Sequence, residues 1–251
     1  MFGNLKNKNT FDMVDCFKNL ILFPETSMKK AIIIVAAGSG SRMNANIPKQ
    51  FLELNGKPIL MHTIHRFHEY DPAILIIVVL SENEIETWNA LVKKNSFSIP
   101  HTIVKGGTKR FHSVKNGLEI LSQHCIVGIH DGVRPLCTPG LIRRCFDEAE
   151  KNSDAVPAIH ITETVREVMN EENSVIDRKN LRIIQTPQCF DSILLKKAYQ
   201  NSEAENFTDD AGAFERDGNK IHLIEGEKSN IKITVNDDLV IASALEKELF
   251  H

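Results

Sequence analysis

Five apolar, β-branched runs, at 31–37, 74–80, 101–104, 125–130 and 154–159, recur along the chain with helical patterns between most of them. Runs of this length bounded by turn residues read as buried strands, and an intervening helix is how one parallel strand is joined to the next. The helical patterns fall at 58–70, 82–93, 110–122 and 139–151, with Ser81 and Thr138 placed as caps. The alternation predicts an α/β fold around a largely parallel sheet. Ligands of open α/β sheets sit beyond the carboxyl ends of the strands. The candidate chemistry lies there: a glycine loop after the first run, Gly106-Gly107 after the third, and His130-Asp131-Gly132-Val133-Arg134-Pro135 after the fourth.

The first of these loops, Ala36-Ala37-Gly38-Ser39-Gly40-Ser41-Arg42-Met43, is closed by Pro48-Lys49-Gln50. Gly38 and Gly40 permit positive φ and allow backbone N–H groups to approach phosphate oxygens, while Arg42 and Lys49 add full charges. No Asp or Glu occurs from Met28 to Leu52, although the whole chain carries a net charge of −3, so a local positive field stands against the overall balance. The loop is not a Walker motif, because Gly40 is followed by Ser41-Arg42 instead of Lys-Ser/Thr. Nor is it a dinucleotide fingerprint: Met43 occupies the third small position, and no acid ends the next strand at Val79-Leu80. A nucleoside triphosphate suits it, the alternative being a Gly/Ser turn with two solvated cations.

At 251 residues, 42% hydrophobic and 25% charged, the chain is long enough for one substantial core. Its slightly acidic balance argues against nucleic acid or a membrane surface as partner. Cys16, Cys125, Cys137, Cys145 and Cys189 are odd in number and lack C-x-x-C spacing, which indicates neither a disulfide framework nor a zinc site and points to a cytoplasmic location. The apolar stretch 17–23 is too short to span a membrane. Residues 1–27 therefore read as a poorly ordered N-terminal extension, with Met28-Lys29-Lys30 resembling a native start and 28–251 forming a single domain. After Ile161 the rhythm changes: 162–168 and 181–184 flank the polar segment 170–174, which predicts a hairpin arm over about 162–185. A two-stranded arm is marginal alone and is expected to pack on another subunit.

Asp131 can hold Mg²⁺ on triphosphate oxygens while Arg134 binds a second anion, or the pair can be an Asp-Gly turn with a surface arginine. Thr208-Asp209-Asp210-Ala211 offers two acids, at least one suited to capping the next helix. Lys232 sits in a short β-like run, Asn230-Ile231-Lys232-Ile233-Thr234, ahead of a helix start at Asn236-Asp237-Asp238. His62, His65 and His68 do not form the i, i+4 pair of a zinc helix and read as a partly exposed helix face. No nucleophile elbow or Cys/His pair suggests a covalent intermediate.

Taken in order, Ala36-Ala37-Gly38-x-Gly40-x-Arg42-Met43, Pro48-Lys49-Gln50, Gly106-Gly107, His130-Asp131-x-x-Arg134-Pro135, Gln185-Thr186-Pro187-Gln188, Thr208-Asp209-Asp210-Ala211 and Asn230-Ile231-Lys232-Ile233-Thr234 resemble the 2-C-methyl-D-erythritol 4-phosphate cytidylyltransferases, from about Lys29 to the C-terminus. The resemblance implies a Rossmann-like, nucleotidyltransferase-type sheet with a protruding β-arm for dimerisation. It implies transfer of a cytidylyl group from CTP to the sugar-alcohol phosphate, with release of pyrophosphate, in non-mevalonate isoprenoid precursor biosynthesis. By the family pattern Arg42, Lys49 and Lys232 surround the α-phosphate, and Arg178, Thr164 and Arg134 bind the sugar phosphate. Ala36, Ala37, Gly38, Gly107 and Ser113 hold the cytidine, and Asp131 lies near ribose and Mg²⁺. The arm resembles an element exchanged between the subunits of a homodimer. Gly132-Val133 stands where two alanines are common, Thr108 where an acid is frequent and Arg166 where lysine is frequent. Ribitol 5-phosphate cytidylyltransferases share most of these motifs and remain the alternative, Ala36-Ala37 favouring methylerythritol phosphate. A nucleotide-binding module without turnover is the alternative of another class.

Overall fold

The structure is a computed structural model that describes residues 29–38, 47–201 and 207–250. The elements follow one another as β1 (Lys30–Val35), a 3₁₀ turn (Lys49–Phe51), β2 (Glu53–Leu54), β3 (Lys57–Pro58), α1 (Ile59–Tyr70), β4 (Leu75–Leu80), α2 (Glu82–Lys94), β5 (Thr102–Lys105) and α3 (Arg110–Glu119). Then come β6 (Ile126–Asp131), α4 (Pro139–Asn152), β7 (Asp154–His160), β8 (Val165–Met169), β9 (Glu172–Ile176), a 3₁₀ turn (Arg178–Asn180), β10 (Arg182–Ile184), β11 (Gln188–Asp191), α5 (Ser192–Asn201), α6 (Asp210–Arg216), β12 (Leu223–Glu225) and α7 (Asn236–Phe250).

β1 lies mid-sheet, parallel to β4 on one edge and to β6 on the other, with β5 outside β4. The chain therefore leaves β1 in one direction and returns past it through α3, and the point where the order reverses lies between the carboxyl ends of β1 and β6. β11 runs antiparallel between β6 and β7. β10 continues along the same edge of β7, and β12 pairs with the other edge, since Ala158 faces both Ile184 and Glu225. Between β10 and β11 the residues Gln185-Thr186-Pro187 leave the ladder, beside the end of β6.

Alternation along the strands divides the core by face. Ile32, Ile34, Ile76, Val78 and Leu80 pack against α1, α2 and α4 through residues such as Ile64, Phe67, Trp88 and Phe146. Ala31, Ile33, Ile77 and Val79 pack against α3, α5 and α6 through Val114, Leu118, Leu195 and Phe214. A third cluster, Leu54, Ile59, Val133, Leu136, Ile233 and Ala242, ties the short β2–β3 hairpin and α7 to the loop after β6. The described cysteines, Cys125, Cys137, Cys145 and Cys189, are free and buried.

The mostly parallel α/β sheet agrees with the strand-and-helix alternation, and several local expectations change. The helix expected over 110–122 ends at Glu119. Thr138 caps α4 by accepting from the Leu141 N–H at 3.1 Å, whereas Ser81 occupies its cap position without a side-chain capping bond. The arm turns at Asn170, which adopts φ 55°, so Glu172–Ile176 is the returning strand, and Arg182–Ile184 belongs to the main sheet. Lys232 lies in an irregular segment instead of a β-like run. The N-terminal extension, residues 1–27, lies outside the described residues.

Candidate active site

A cavity of about 370 Å³ opens at the reversal point, lined by Ala36, Ala37 and Gly38 after β1, Lys49 and Gln50, Gly107 to Arg110 and Ser113, Asp131, Val133 and Lys232. Each wall is fixed by the chain that feeds it. Phe51 is buried and stacks on Trp88 with centroids 6.0 Å apart, and Gln50 donates to the Ala36 carbonyl at 2.8 Å and to Glu84 at 2.9 Å. Those two anchors hold the turn that carries Lys49 on the cavity wall. On the opposite wall the Ser113 hydroxyl donates to the Lys109 carbonyl at 3.2 Å and accepts from the Gly107 N–H at 3.1 Å. Gly38 also lines the cavity, but its φ is not positive. A Cβ built on it meets nothing within 4 Å, so no packing contact among the described residues requires a glycine there.

Asp131, at the end of β6, is the electrostatic centre. Its Oδ2 lies 2.9 Å from Lys232 Nζ and 3.4 Å from Arg134 Nε, and its Oδ1 lies 3.9 Å from Arg110 Nε. Burial, the largest single influence, pushes the carboxyl upward, but Arg110, Lys232 and Arg134 together outweigh it and hold Asp131 well below the usual carboxylate range. Arg134 is buried and also donates to the Asn230 carbonyl at 2.8 Å. The Asn230 side chain donates to the Thr186 carbonyl at 2.8 Å, and the Ile233 N–H donates to the Val133 carbonyl at 3.0 Å, which brings the segment carrying Lys232 to β6 without a strand.

Behind Asp131 the buried His130 is held by a closed set of bonds. Its Nε2 faces the Arg134 carbonyl at 3.1 Å and must donate there, so the neutral ring accepts at Nδ1 from the Thr186 hydroxyl at 2.9 Å. Thr186 Oγ1 in turn accepts the Asp131 N–H at 3.2 Å.

A second hollow of about 290 Å³ shares Arg110, Asp131 and Lys232 with the first and is completed by Arg134, Gln185, Thr186, Gln188, Thr208 and Asp209. The structure thus brings Ala36, Ala37, Gly38, Lys49, Gly107, Ser113, Asp131 and Lys232 around one cavity and Arg134 beside it. Arg42, with Gly40 and Met43, falls outside the described residues. Thr164 and Arg178 line neither hollow; they sit at the base of the β8–β9 arm, where Arg178 donates to the Thr162 carbonyl. Of the positions that depart from the commoner pattern, Thr108 lines the cavity and bonds His112 Nδ1 at 3.0 Å. Gly132 leaves room for Ala36, since a Cβ there would lie 2.9 Å from the Ala36 Cβ. Of the histidines of α1, His62 is occupied locally, its Nε2 donating to the Leu54 carbonyl at 2.7 Å.

Arg110 was not singled out by sequence reasoning, although a signal existed. Lys109 and Arg110 place two cations at the start of a helix, where the macrodipole disfavours them. Such a placement calls for an acidic partner, and Asp210 is that partner. For a metal, Asp131 supplies one carboxylate, and among the described residues no group of three or more His, Cys, Asp or Glu is placed to hold an ion. That donor set suits Mg²⁺, which takes one or two carboxylates and draws its other oxygens from phosphates and water.

The family model described as 2-C-methyl-D-erythritol 4-phosphate cytidylyltransferase matches residues 30–248. A protein of that name from Azobacteroides pseudotrichonymphae is 49% identical over 220 residues, covering 86% of this chain and 98% of its own. Another, from Bacteroides thetaiotaomicron, is 44% identical over 218 residues, covering 87% and 100%. The crystal structure of 4-diphosphocytidyl-2C-methyl-D-erythritol synthase from Anaerococcus prevotii superimposes with a TM-score of 0.74 at 28% identity, over 88% of this chain and 99% of that one. Sequence match along nearly the whole described length and a close structural superposition lead to one conclusion: the chain belongs to the 2-C-methyl-D-erythritol 4-phosphate cytidylyltransferase family.

Proposed function

We propose that this nucleotidyltransferase joins CTP and 2-C-methyl-D-erythritol 4-phosphate at the cavity between β1 and β6, giving 4-diphosphocytidyl-2-C-methyl-D-erythritol and pyrophosphate for isoprenoid precursor biosynthesis. The observation that carries the reading is the convergence of Lys49, Lys232, Arg110 and Arg134 on one hollow pair around the carboxylate of Asp131. An oxygen of the substrate phosphate attacks the α-phosphorus of CTP, and the bond to the β-phosphate oxygen breaks as pyrophosphate leaves. A phosphate monoester is already an oxyanion near neutral pH, so no general base is needed, and rate comes from positioning and charge stabilisation.

Lys49 and Lys232, with Arg42, act on the α-phosphate. Ala36 to Gly38, Gly107 and Ser113 seat the nucleoside. Arg134 assists at the second hollow, and Asp131 orients Lys232 and would hold Mg²⁺. When bound, Mg²⁺ neutralises charge on the triphosphate. The molecule works as a homodimer in the cytoplasm, with Thr164 and Arg178 reaching the sugar phosphate from the partner's arm. Support for that arrangement is the position of both residues on an arm away from the hollows of their own chain.

The test is a coupled pyrophosphate-release assay with CTP and either methylerythritol phosphate or ribitol 5-phosphate. Release with the former alone is expected, and Lys49→Ala is expected to lower turnover by about 10² to 10³. Preference for ribitol phosphate would move the substrate assignment, CTP binding without release would make the chain a binding module, and an unchanged Lys49→Ala rate would remove that lysine from the site.

A further inference from the structure

Arg110 opens α3 and lines both hollows, yet its terminal nitrogens are engaged away from them. Nη1 donates to Asp210 Oδ1 at 2.9 Å and Nη2 to Oδ2 at 2.6 Å, a two-pronged pairing that fixes the plane of the guanidinium. Asp210 is fully buried, accepts from the Tyr199 hydroxyl at 2.6 Å, and has its own N–H bound to Gln188 Oε1 at 3.1 Å. Capping of α6 falls to the neighbouring Asp209, whose Oδ1 accepts from the Gly212 N–H at 2.9 Å, so Asp210 is not engaged as a cap. The remaining nitrogen of Arg110, Nε, stands 3.9 Å from Asp131 Oδ1.

We propose that Arg110 is a positioning residue for Asp131: the buried Asp210–Tyr199 anchor sets the guanidinium so that its Nε keeps Oδ1 in place and Oδ2 turned toward Lys232 and Arg134. The inference rests on the reading of Asp131 as part of the reacting site. Turning the guanidinium as a whole toward a phosphate would break its pairing with the buried Asp210 and strand that charge. A plain brace between α3 and α6 would leave Asp131 untouched.

A cycle of turnover measurements separates these roles. Arg110→Met and Asp131→Asn are each expected to lower kcat by about ten-fold or more. If Arg110 acts through Asp131, the double variant is no slower than Asp131→Asn to within about two-fold. Losses that multiply would overturn the proposal. Should Arg110→Met fail to fold by circular dichroism, Arg110→Lys takes its place in the cycle, with the same expectation and the same overturning result.

A second readout does not depend on activity. In protein labelled at the aspartate carboxyl carbon and held at about pH 7, the Asp131 signal, assigned by its loss in Asp131→Asn, is expected to shift when Arg110 is replaced, because the charge beside Oδ1 is gone. An unmoved signal would overturn the positioning role. If the signal moves while Asp131→Asn retains full turnover, the positioning contact stands and the functional reading of Asp131 falls.

Discussion

At the scale of single residues the site depends on keeping one acid charged and one base neutral within a few ångströms. Asp131 stays ionised because three cations outweigh its burial. His130, directly before it, is driven by burial down to about 4 from its ordinary 6.5, with Arg134 and Lys232 adding to the effect against the pull of Asp131 and the Arg134 carbonyl. A neutral His130 also suits its hydrogen bonds, since a protonated Nδ1 would take from the Thr186 hydroxyl hydrogen the acceptor it now has. In the unfolded chain the imidazole takes up a proton as pH falls through 6.5, whereas in the folded chain it does so only near 4. Stability is therefore present above 6.5 and is lost between that value and 4, by up to about 3 kcal/mol for this group. His62 and His65 are also lowered by burial and give a slope of the same sign, so the informative quantity is a difference. Urea unfolding at intervals from pH 7.5 to 4.5 is expected to show a steeper decline for the wild type than for His130→Gln. Parallel declines would mean that His130 is not the buried neutral group described here.

The elements matter through their ends. The Gly106-Gly107 joint between β5 and α3 packs so closely that a Cβ on Gly107 would stand 2.2 Å from the His112 Cβ, and one on Gly106 would stand 2.5 Å from the Ala37 Cβ. The obstructing atoms are backbone-proximal, so relief at Gly107 requires moving the first turn of α3, which carries Arg110 and Ser113. Gly107→Ala is expected to cost about 1–3 kcal/mol in chemical denaturation and to raise the KM for CTP, because the cavity wall and the core seam shift together. A stability loss with unchanged KM would detach the joint from nucleotide binding. The parallel strands and their crossover helices were legible in the sequence because each strand is apolar throughout and each helix repeats with its own period. The short pieces were not: β2, β3 and β12 span two or three residues each, too few for any periodicity, and 181–184 reads in sequence as a strand of the arm although its partner is β7. In the candidate site, residues next to glycines or at strand ends, such as Lys49 and Asp131, were legible from local pattern. Arg110 was not, because its meaning depends on Asp210, a hundred positions away along the chain and joined to it only by folding.

Over the whole molecule, a chain of net charge −3 gathers Lys49, Arg110, Arg134 and Lys232 at one end of its sheet, which concentrates positive potential where a polyanion would enter. The β8–β9 arm stands outside this arrangement as its own two-stranded sheet. Across its register Arg166, Val168, Asn173 and Val175 share one face, and Met169 lies on the other. Val168, Met169 and Val175 are 70%, 61% and 61% exposed, a poor state for an isolated hairpin and a reasonable one for a hairpin that rests on a second copy. Arg178, at the base of the arm, lines neither hollow of its own chain, while Lys232 lines both. If each site takes Lys232 from one subunit and Arg178 from the other, two inactive variants can repair one another. Lys232→Ala and Arg178→Ala homodimers would each be impaired at both sites, whereas a mixed dimer would contain one site with both residues intact. Random pairing of equal amounts, by joint refolding or co-expression, makes half the dimers mixed and returns about one quarter of wild-type activity per site. Arg178 supplied within its own chain gives no recovery on mixing, because every site then keeps one defect. Pyrophosphate release measured before and after subunit exchange decides between the two, with sedimentation of each variant confirming that neither substitution has altered assembly.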